Sequence, residues 1–218
     1  MNVYIARHGE TDWNREARYQ GRRESALTER GILQAQALTR AVKDSVTRDG
    51  GRIVRTVSSP LKRCVETIRP LSSACSLRIE TEPLLIEIAH GDWEGRLRAD
   101  IEREDPDTFH AWKHAPAVVH FRGGESVGDV LVRWRSFRAL LLEREVNETV
   151  VIVTHDVLVR LAILDATGRG INDLWEPRVV NGGYARFAVS DDGRWELETE
   201  CIDTHLAGIA ADPGLQAL

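Results

Sequence analysis

The sequence predicts an α/β fold, a three-layer sandwich in which a mostly parallel central sheet carries helices on both faces. Short β-branched apolar runs alternate along the chain with longer segments whose apolar residues keep a helical period. One of the short runs, Thr149-Val150-Val151-Ile152-Val153-Thr154, is uninterruptedly apolar between its threonines, as befits a strand covered on both sides. His8 and His155 each stand directly after such a run, and ligands of parallel sheets collect at the carboxyl ends of the strands.

The first strand is predicted over residues 2 to 6 and breaks at Arg7-His8-Gly9-Glu10-Thr11. A strand end fixes the backbone, Gly9 allows a sharp turn and close approach of a ligand, and Arg7 offers a planar fork matched to phosphate. The polar, arginine-rich stretch to Ala26 reads as a long functional loop. Thr28 then offers an N-cap, and Ile32, Leu33, Ala35, Ala37, Leu38, Ala41 and Val42 keep a helical spacing to about Lys43. After a Gly50-Gly51 turn, Ile53 to Val57 suits a strand, and Ser58-Ser59-Pro60 leads into a helix over about Leu61 to Ala74, with proline tolerated in its first turn.

A third strand is predicted near Leu77 to Ile79, followed by an extended segment from Leu84 to Glu87. The polar, tryptophan- and histidine-rich stretch from Leu97 to His120 suggests short helices, part of an insertion over the site at about 91–125 within a single domain spanning 1–218. Gly123-Gly124-Glu125-Ser126 opens a further helix with Val127, Val130, Leu131, Trp134, Phe137, Leu140 and Leu141 on its period. The strand ending at Thr154 is followed by a helix from Val157 to about Thr167. A hairpin then pairs Tyr184–Val189 with Trp195–Ile202 around Asp191-Asp192-Gly193, and the last dozen residues read as a tail.

Composition narrows the function. A net charge of −5 argues against a general nucleic-acid binder, and no apolar stretch approaches the roughly 20 residues of a membrane span. Cys64, Cys75 and Cys201 are odd in number and lack metal-ligand spacing, so neither a disulfide framework nor a metal site is expected. The chain opens into a strand with no basic region and apolar stretch before it, which makes the cytoplasm the default compartment. Trp93, Trp112 and Trp134 are expected to pack, and Cys64 to be small and buried.

Several ordered segments carry a family resemblance. Arg7-His8-Gly9-Glu10-Thr11 with Trp13-Asn14 and Gln20-Gly21, Leu27-Thr28-x-x-Gly31-x-x-Gln34-Ala35, and Ser58-Ser59-Pro60-Leu61-x-Arg63-x-x-x-Thr67 come first. Glu87-x-x-x-Gly91-x-Trp93-Glu94-Gly95, Gly123-Gly124-Glu125-Ser126 and Val153-Thr154-His155 complete the set. Together they resemble the histidine phosphatase superfamily in its phosphoglycerate-mutase-like branch, over roughly residues 3 to 190.

The resemblance implies a nucleophilic His8 that forms a phosphohistidine, with Arg7, Arg63 and His155 around the non-bridging oxygens and Asn14 as a neutral donor. It implies no metal and no cofactor. Glu87 would be the general acid, and Thr11, Gln20, Gly21, Glu125 and Asp156 would lie in or near the substrate site. Asp156 stands where branch members most often carry glycine, and a His-Asp pair is what the acid-phosphatase branch uses for proton donation. Its competing reading is a helix N-cap.

The expected reaction is hydrolysis of a small, sugar-phosphate-like phosphomonoester. Mutase-type transfer and a non-catalytic scaffold are the alternatives. His110, Lys113, His114, His120 and Arg122 of the insertion either contact a second anionic or polyhydroxyl part of the substrate or form a solvated lid.

Overall fold

The computed structural model describes residues 1–143 and 149–210. Its strands are β1 (Asn2–Arg7), β2 (Ile53–Ser58), β3 (Ile79–Thr81), β4 (Thr149–Thr154), β5 (Tyr184–Val189) and β6 (Trp195–Ile202). They form one six-stranded sheet in the order β3-β2-β4-β1-β5-β6. The first four by position are parallel, and β5 and β6 add as an antiparallel hairpin beside β1. The helices are α1 (Asp12–Arg15), α2 (Glu29–Arg48), α3 (Lys62–Ala74), α4 (Arg98–Glu104), α5 (Pro106–His114), α6 (Val127–Leu142) and α7 (Asp156–Thr167). None among the described residues is long and apolar enough to cross a membrane.

The alternation of side chains along a strand sorts the core into two halves. Tyr4, Ala6, Val151 and Val153 meet Leu38, Val42 and Val46 of α2 and Ile68 and Leu71 of α3. Val3, Ile5, Val150 and Ile152 join a second cluster that includes Trp134 and Phe137 of α6 and Leu158 and Leu161 of α7. Both faces of β4 are therefore covered, which is why its sequence is a continuous apolar run rather than an alternation. The mostly parallel three-layer architecture is the one the sequence predicts.

Element boundaries depart from the sequence reading where tertiary contacts override local pattern. The helix expected to end near Lys43 continues to Arg48, because Val46 extends the buried stripe and Ser45 shares a 3.0 Å hydrogen bond with the hydroxyl of Tyr4 on β1. Pro60 lies outside α3, whose N-cap is Leu61, while Pro70 sits inside it. The third strand begins at Ile79, two residues late, since Ser76 at φ 57° is still turning the chain out of α3. Residues Pro83–Leu85 form a single 3₁₀ turn rather than an extended run, with the Glu82 side chain accepting from the Leu84 amide. The long loop after β1 holds a one-turn helix, α1, closed by a capping box between Thr11 and Asn14. The C-terminal tail lies outside the described residues from position 211 onward.

Gly9 is needed for a reason the sequence does not announce. A Cβ there would stand 2.5 Å from the Gly31 carbonyl oxygen, and one on Gly31 would stand 2.1 Å from the Glu10 carbonyl oxygen. The loop after β1 thus rests backbone to backbone on the first turn of α2, and the glycines answer to space rather than to a sharp turn or a ligand. Gly31→Ala should force the two backbones apart and lower stability by about 1–3 kcal/mol in a urea titration. Gly128→Ala, in the first turn of α6 with no atom nearer than 3.5 Å, should raise it by ~0.5 kcal/mol instead.

Candidate active site

Parallel pairing of β1 with β4 aligns Arg7 with Thr154, so the residues that follow, His8 and His155, emerge side by side. Their ring centroids are 5.3 Å apart at an interplanar angle of 66°. The His8 amide donates to the Thr154 carbonyl at 3.0 Å, and the Asn181 side-chain amide donates to the His8 carbonyl at 3.0 Å. β2 is the next strand over, and the chain leaving it passes through Ser59 into α3, which carries Arg63.

The imidazole of His8 is prepared by its own neighbour. Its Nδ1 donates to the Gly9 carbonyl at 2.7 Å, which leaves Nε2 with the lone pair. Burial, with the positive charges of Arg63 and Arg7, holds its pKa well below the usual histidine value, so the ring is neutral. The Gly9 peptide is pinned in turn: its N–H donates to Thr67 Oγ1 at 3.0 Å, and that hydroxyl donates to the Arg63 carbonyl at 2.6 Å.

His8 opens on a small cavity whose walls include Arg7, Asn14, Gln20, Gly21, Arg63, Glu87 and Asp156. Arg63 is anchored by two bonds, to the Gly21 carbonyl at 2.7 Å and the Arg23 carbonyl at 2.8 Å. Among the described residues its buried Nε has no hydrogen-bond partner, and neither do Nε and Nη1 of Arg7, although that Nη1 lies 3.2 Å from Asp156 Oδ1 in ion-pair range. Buried, unengaged guanidinium donors beside an imidazole lone pair make a site for a tetrahedral anion.

Two carboxyl groups share the cavity in opposite states. Glu87 is pushed up to about 7 chiefly by burial, with the charge of Asp156 adding to it and the Ile88 amide, Arg63 and Arg133 opposing it. At Asp156 burial also works upward, but Arg160 and Arg7 outweigh it and hold the group below its ordinary value. Its oxygens lie 2.7 Å from Arg160 Nε and 3.2 Å from Arg7 Nη1. Asp156 is not the N-cap that its sequence context suggested: His155 occupies that position, Asp156 is the first residue of α7, and its carboxylate is drawn away by the two guanidinium groups.

The other candidate residues divide clearly. Asn14 Oδ1 accepts from the Thr11 amide, from Thr11 Oγ1 and from Asn181 Nδ2, so its own NH₂ group is the part left for the cavity. Gly21, at φ 51°, is held between Arg63 and the Glu94 carboxylate. Glu125 lies outside the cavity wall and pairs with Arg22 at 2.6 Å and Arg133 at 3.3 Å. His155 is fully buried and does not line the cavity; its Nε2 is 2.7 Å from Ser59 Oγ and 3.4 Å from the Sγ of buried Cys64, and burial leads the causes that keep it neutral.

Of the basic residues in the insertion, His120 and Arg122 are exposed beside Asp129 and Asp92, and the rings of His110 and His114 lie tilted with centroids 4.4 Å apart. Only Lys113 reaches the cavity's surroundings, over the ring of Trp175. The wall also contains His90, Trp112, Val157 and Trp175, none of them among the candidate site residues of the sequence. Trp112 is fully buried and packs edge-on to Trp175 at 4.9 Å, so it fills both roles. His90 carried a signal, lying between Glu87 and Gly91 of a quoted motif; Trp175 and Asn181 had none.

Known proteins of similar sequence and fold identify the family. A family model described as the histidine phosphatase superfamily (branch 1) matches residues 3–202. Phosphoserine phosphatase 1 of Hydrogenobacter thermophilus is 33% identical over 185 residues, covering 85% of this chain and 85% of that protein. The adenosylcobalamin/alpha-ribazole phosphatase of Escherichia coli is 30% identical over 190 residues, covering 87% and 91%. Among solved structures, Bacillus stearothermophilus YhfR superposes with a TM-score of 0.86 at 29% identity, with 94% of this chain and 98% of that one covered. Matched across nearly all of its length, this chain belongs to the histidine phosphatase superfamily.

Proposed function

We propose that this protein is a phosphatase that hydrolyses small phosphomonoesters through a phosphohistidine on His8. The observation that carries the reading is a neutral, buried His8 whose Nδ1–H is committed to Gly9, beside the unengaged donors of Arg7 and Arg63. The Nε2 lone pair attacks phosphorus as the ester P–O bond breaks, and the leaving oxygen takes its proton from Glu87. Water then attacks the phosphohistidine, giving its proton to the Glu87 carboxylate, and the P–N bond electrons return to Nε2. Arg7, Arg63 and the Asn14 amide hold the equatorial oxygens throughout, so the chemistry proceeds without a metal ion.

Glu87 is the better proton donor because a group at about 7 is protonated when needed and can recover a proton from water. Asp156 is kept ionised by Arg160 and Arg7, and we assign it the task of orienting Arg7. His155, neutral and packed edge-on against His8, helps fix the position of the His8 ring. We read the chain as one domain in which the segment at 91–125 covers the site, with Trp112 of α5 on the cavity wall. Relatives named for phosphatase action on phosphoserine and alpha-ribazole support small phosphorylated molecules as substrates.

Release of inorganic phosphate from p-nitrophenyl phosphate should persist in EDTA and vanish in His8→Ala. Acid-labile, base-stable phosphate should be recoverable on wild-type protein quenched during turnover. Retained activity in His8→Ala overturns the mechanism, and isomerisation of 3-phosphoglycerate with little free phosphate would mark a mutase instead. Glu87→Gln should slow phosphoryl transfer from alkyl phosphates to His8 by ~10²–10⁴-fold while sparing that step for p-nitrophenyl phosphate, whose leaving group needs no proton and whose burst of p-nitrophenol should persist, with phosphohistidine breakdown slowed for both esters. Asp156→Asn should slow both esters alike; the reverse pattern would make Asp156 the acid.

The pH dependence follows from the two shifts. Raised to about 7, Glu87 is protonated below that pH, so turnover of alkyl esters should fall as pH rises through it, and Glu87→Gln should lack this limb. His8, depressed well below its ordinary value, stays neutral on the acid side, so nucleophilic activity should continue below pH 6.5.

A further inference from the structure

Two buried donors of Arg7, Nε and Nη1, have no hydrogen bond among the described residues, although Asp156 Oδ1 stands 3.2 Å from that Nη1. A carboxylate so close to a guanidinium gains most by closing on it as a forked pair. Asp156 does not close on Arg7, and the cause lies on its other side. One turn along α7, Arg160 donates from Nε to Asp156 Oδ2 at 2.7 Å and from Nη2 to Oδ1 at 3.4 Å. Both carboxylate oxygens are thus engaged by Arg160, and Arg7 keeps a charge partner without giving up its donors.

Arg160 is itself held firmly. Its Nη1 donates to the carbonyls of Leu174 and Pro177, and its guanidinium lies over the Trp175 ring, 5.0 Å from the centroid. The Trp175 indole N–H donates in turn to the Trp112 carbonyl at 2.6 Å. Arg160 and Asp156 are both buried, so water competes little for the bonds between them. Arg160 also leads Arg7 among the charges that keep Asp156 ionised against the effect of burial. It does not line the cavity itself, so it reaches the site through Asp156 and Trp175, which do.

We propose that Arg160 is a positioning residue for phosphate recognition: by holding both oxygens of Asp156 it stops that carboxylate from closing on Arg7 and leaves Nε and Nη1 of Arg7 free for phosphoryl oxygens. The inference rests on the reading of Arg7 as a phosphate ligand and deepens it. Without Arg160, Asp156 and phosphate compete for the same donors, and the carboxylate turns from a support into a rival.

A double-mutant cycle on the affinity for inorganic phosphate, read by titration calorimetry, tests this without requiring turnover. Arg160→Met should weaken phosphate binding by roughly 10–100-fold. Asp156→Asn alone should change it by no more than about twofold, yet in the Arg160→Met background it should restore about tenfold, because the rival is gone. Charges acting only through space, or an Arg160 needed only for folding, would give Asp156→Asn the same factor in both backgrounds, and equal factors overturn the proposal. Arg160→Lys keeps the charge but not the fork, so its affinity should fall between those of wild type and Arg160→Met. Wild-type affinity in Arg160→Lys would mean that charge alone suffices, which is equally fatal. Should Arg160→Met fail to fold, Arg160→Lys takes its place in the cycle with a recovery of about threefold expected, judged by the same criterion. Wild-type protein that binds no phosphate would remove the phosphate site and this inference with it. Phosphate binding with the coupling intact, but no phosphate released from any ester, would overturn the phosphatase reading alone.

Discussion

The parallel pairing of β1 with β4, in the register that sets Arg7 against Thr154, is the constraint on which the site depends. Side chains on a strand alternate faces, so a slip of one residue would turn Arg7 and His8 away from their partners and drive the apolar set of β1 out of both cores. Both strands are buried on both faces, which makes such a slip prohibitively costly. With the register held, the ends of β1 and β4 deliver two histidines to one place, and β2 brings Arg63 through the first turn of α3. No loop has to search for that arrangement. Catalytic geometry on a rigid scaffold is the general reason such sites sit at strand ends.

Electrostatics then divides labour between groups of the same chemical kind. Glu87 and Asp156 are both buried carboxyl groups on one cavity, yet one is raised to about 7 and the other is depressed. Burial pushes both upward. Asp156 alone is bracketed by two guanidinium groups at ion-pair distance, and that difference decides the outcome. The arrangement also answers how Arg7 can be buried, since an unpaired buried charge is costly unless a partner or a bound anion compensates it.

His8 and Arg63 are coupled through the backbone. Thr67 and Arg63 lie one turn apart on α3, and the Thr67 hydroxyl links the Arg63 carbonyl to the Gly9 amide. The same Gly9 peptide holds His8 Nδ1 through its carbonyl. On the opposite side Asn181 ties the His8 carbonyl to Asn14, and Gly31 supports the loop from below. His8 is therefore over-determined by several short contacts, which is what the nucleophilic role proposed for it requires.

What the sequence by itself determined was periodic or local. The apolar run of β4, the hairpin of β5 and β6, the Thr28 cap of α2 and the motif residues Arg7, His8, Arg63, Glu87 and His155 could all be read from residue type and spacing. The tertiary structure decided what depends on contacts between distant segments. It drew Asp156 from a cap into a double ion pair, extended α2 through Ser45 to reach Tyr4, and placed His155 behind His8 rather than on the cavity wall. It also brought His90, Trp112, Trp175 and Asn181 to the site. The physical reason is one of range: hydrophobic period and capping chemistry act over a few residues and leave a mark in the sequence. The field at a carboxylate and the neighbours of a ring are set by chain segments that meet only when the sheet has closed.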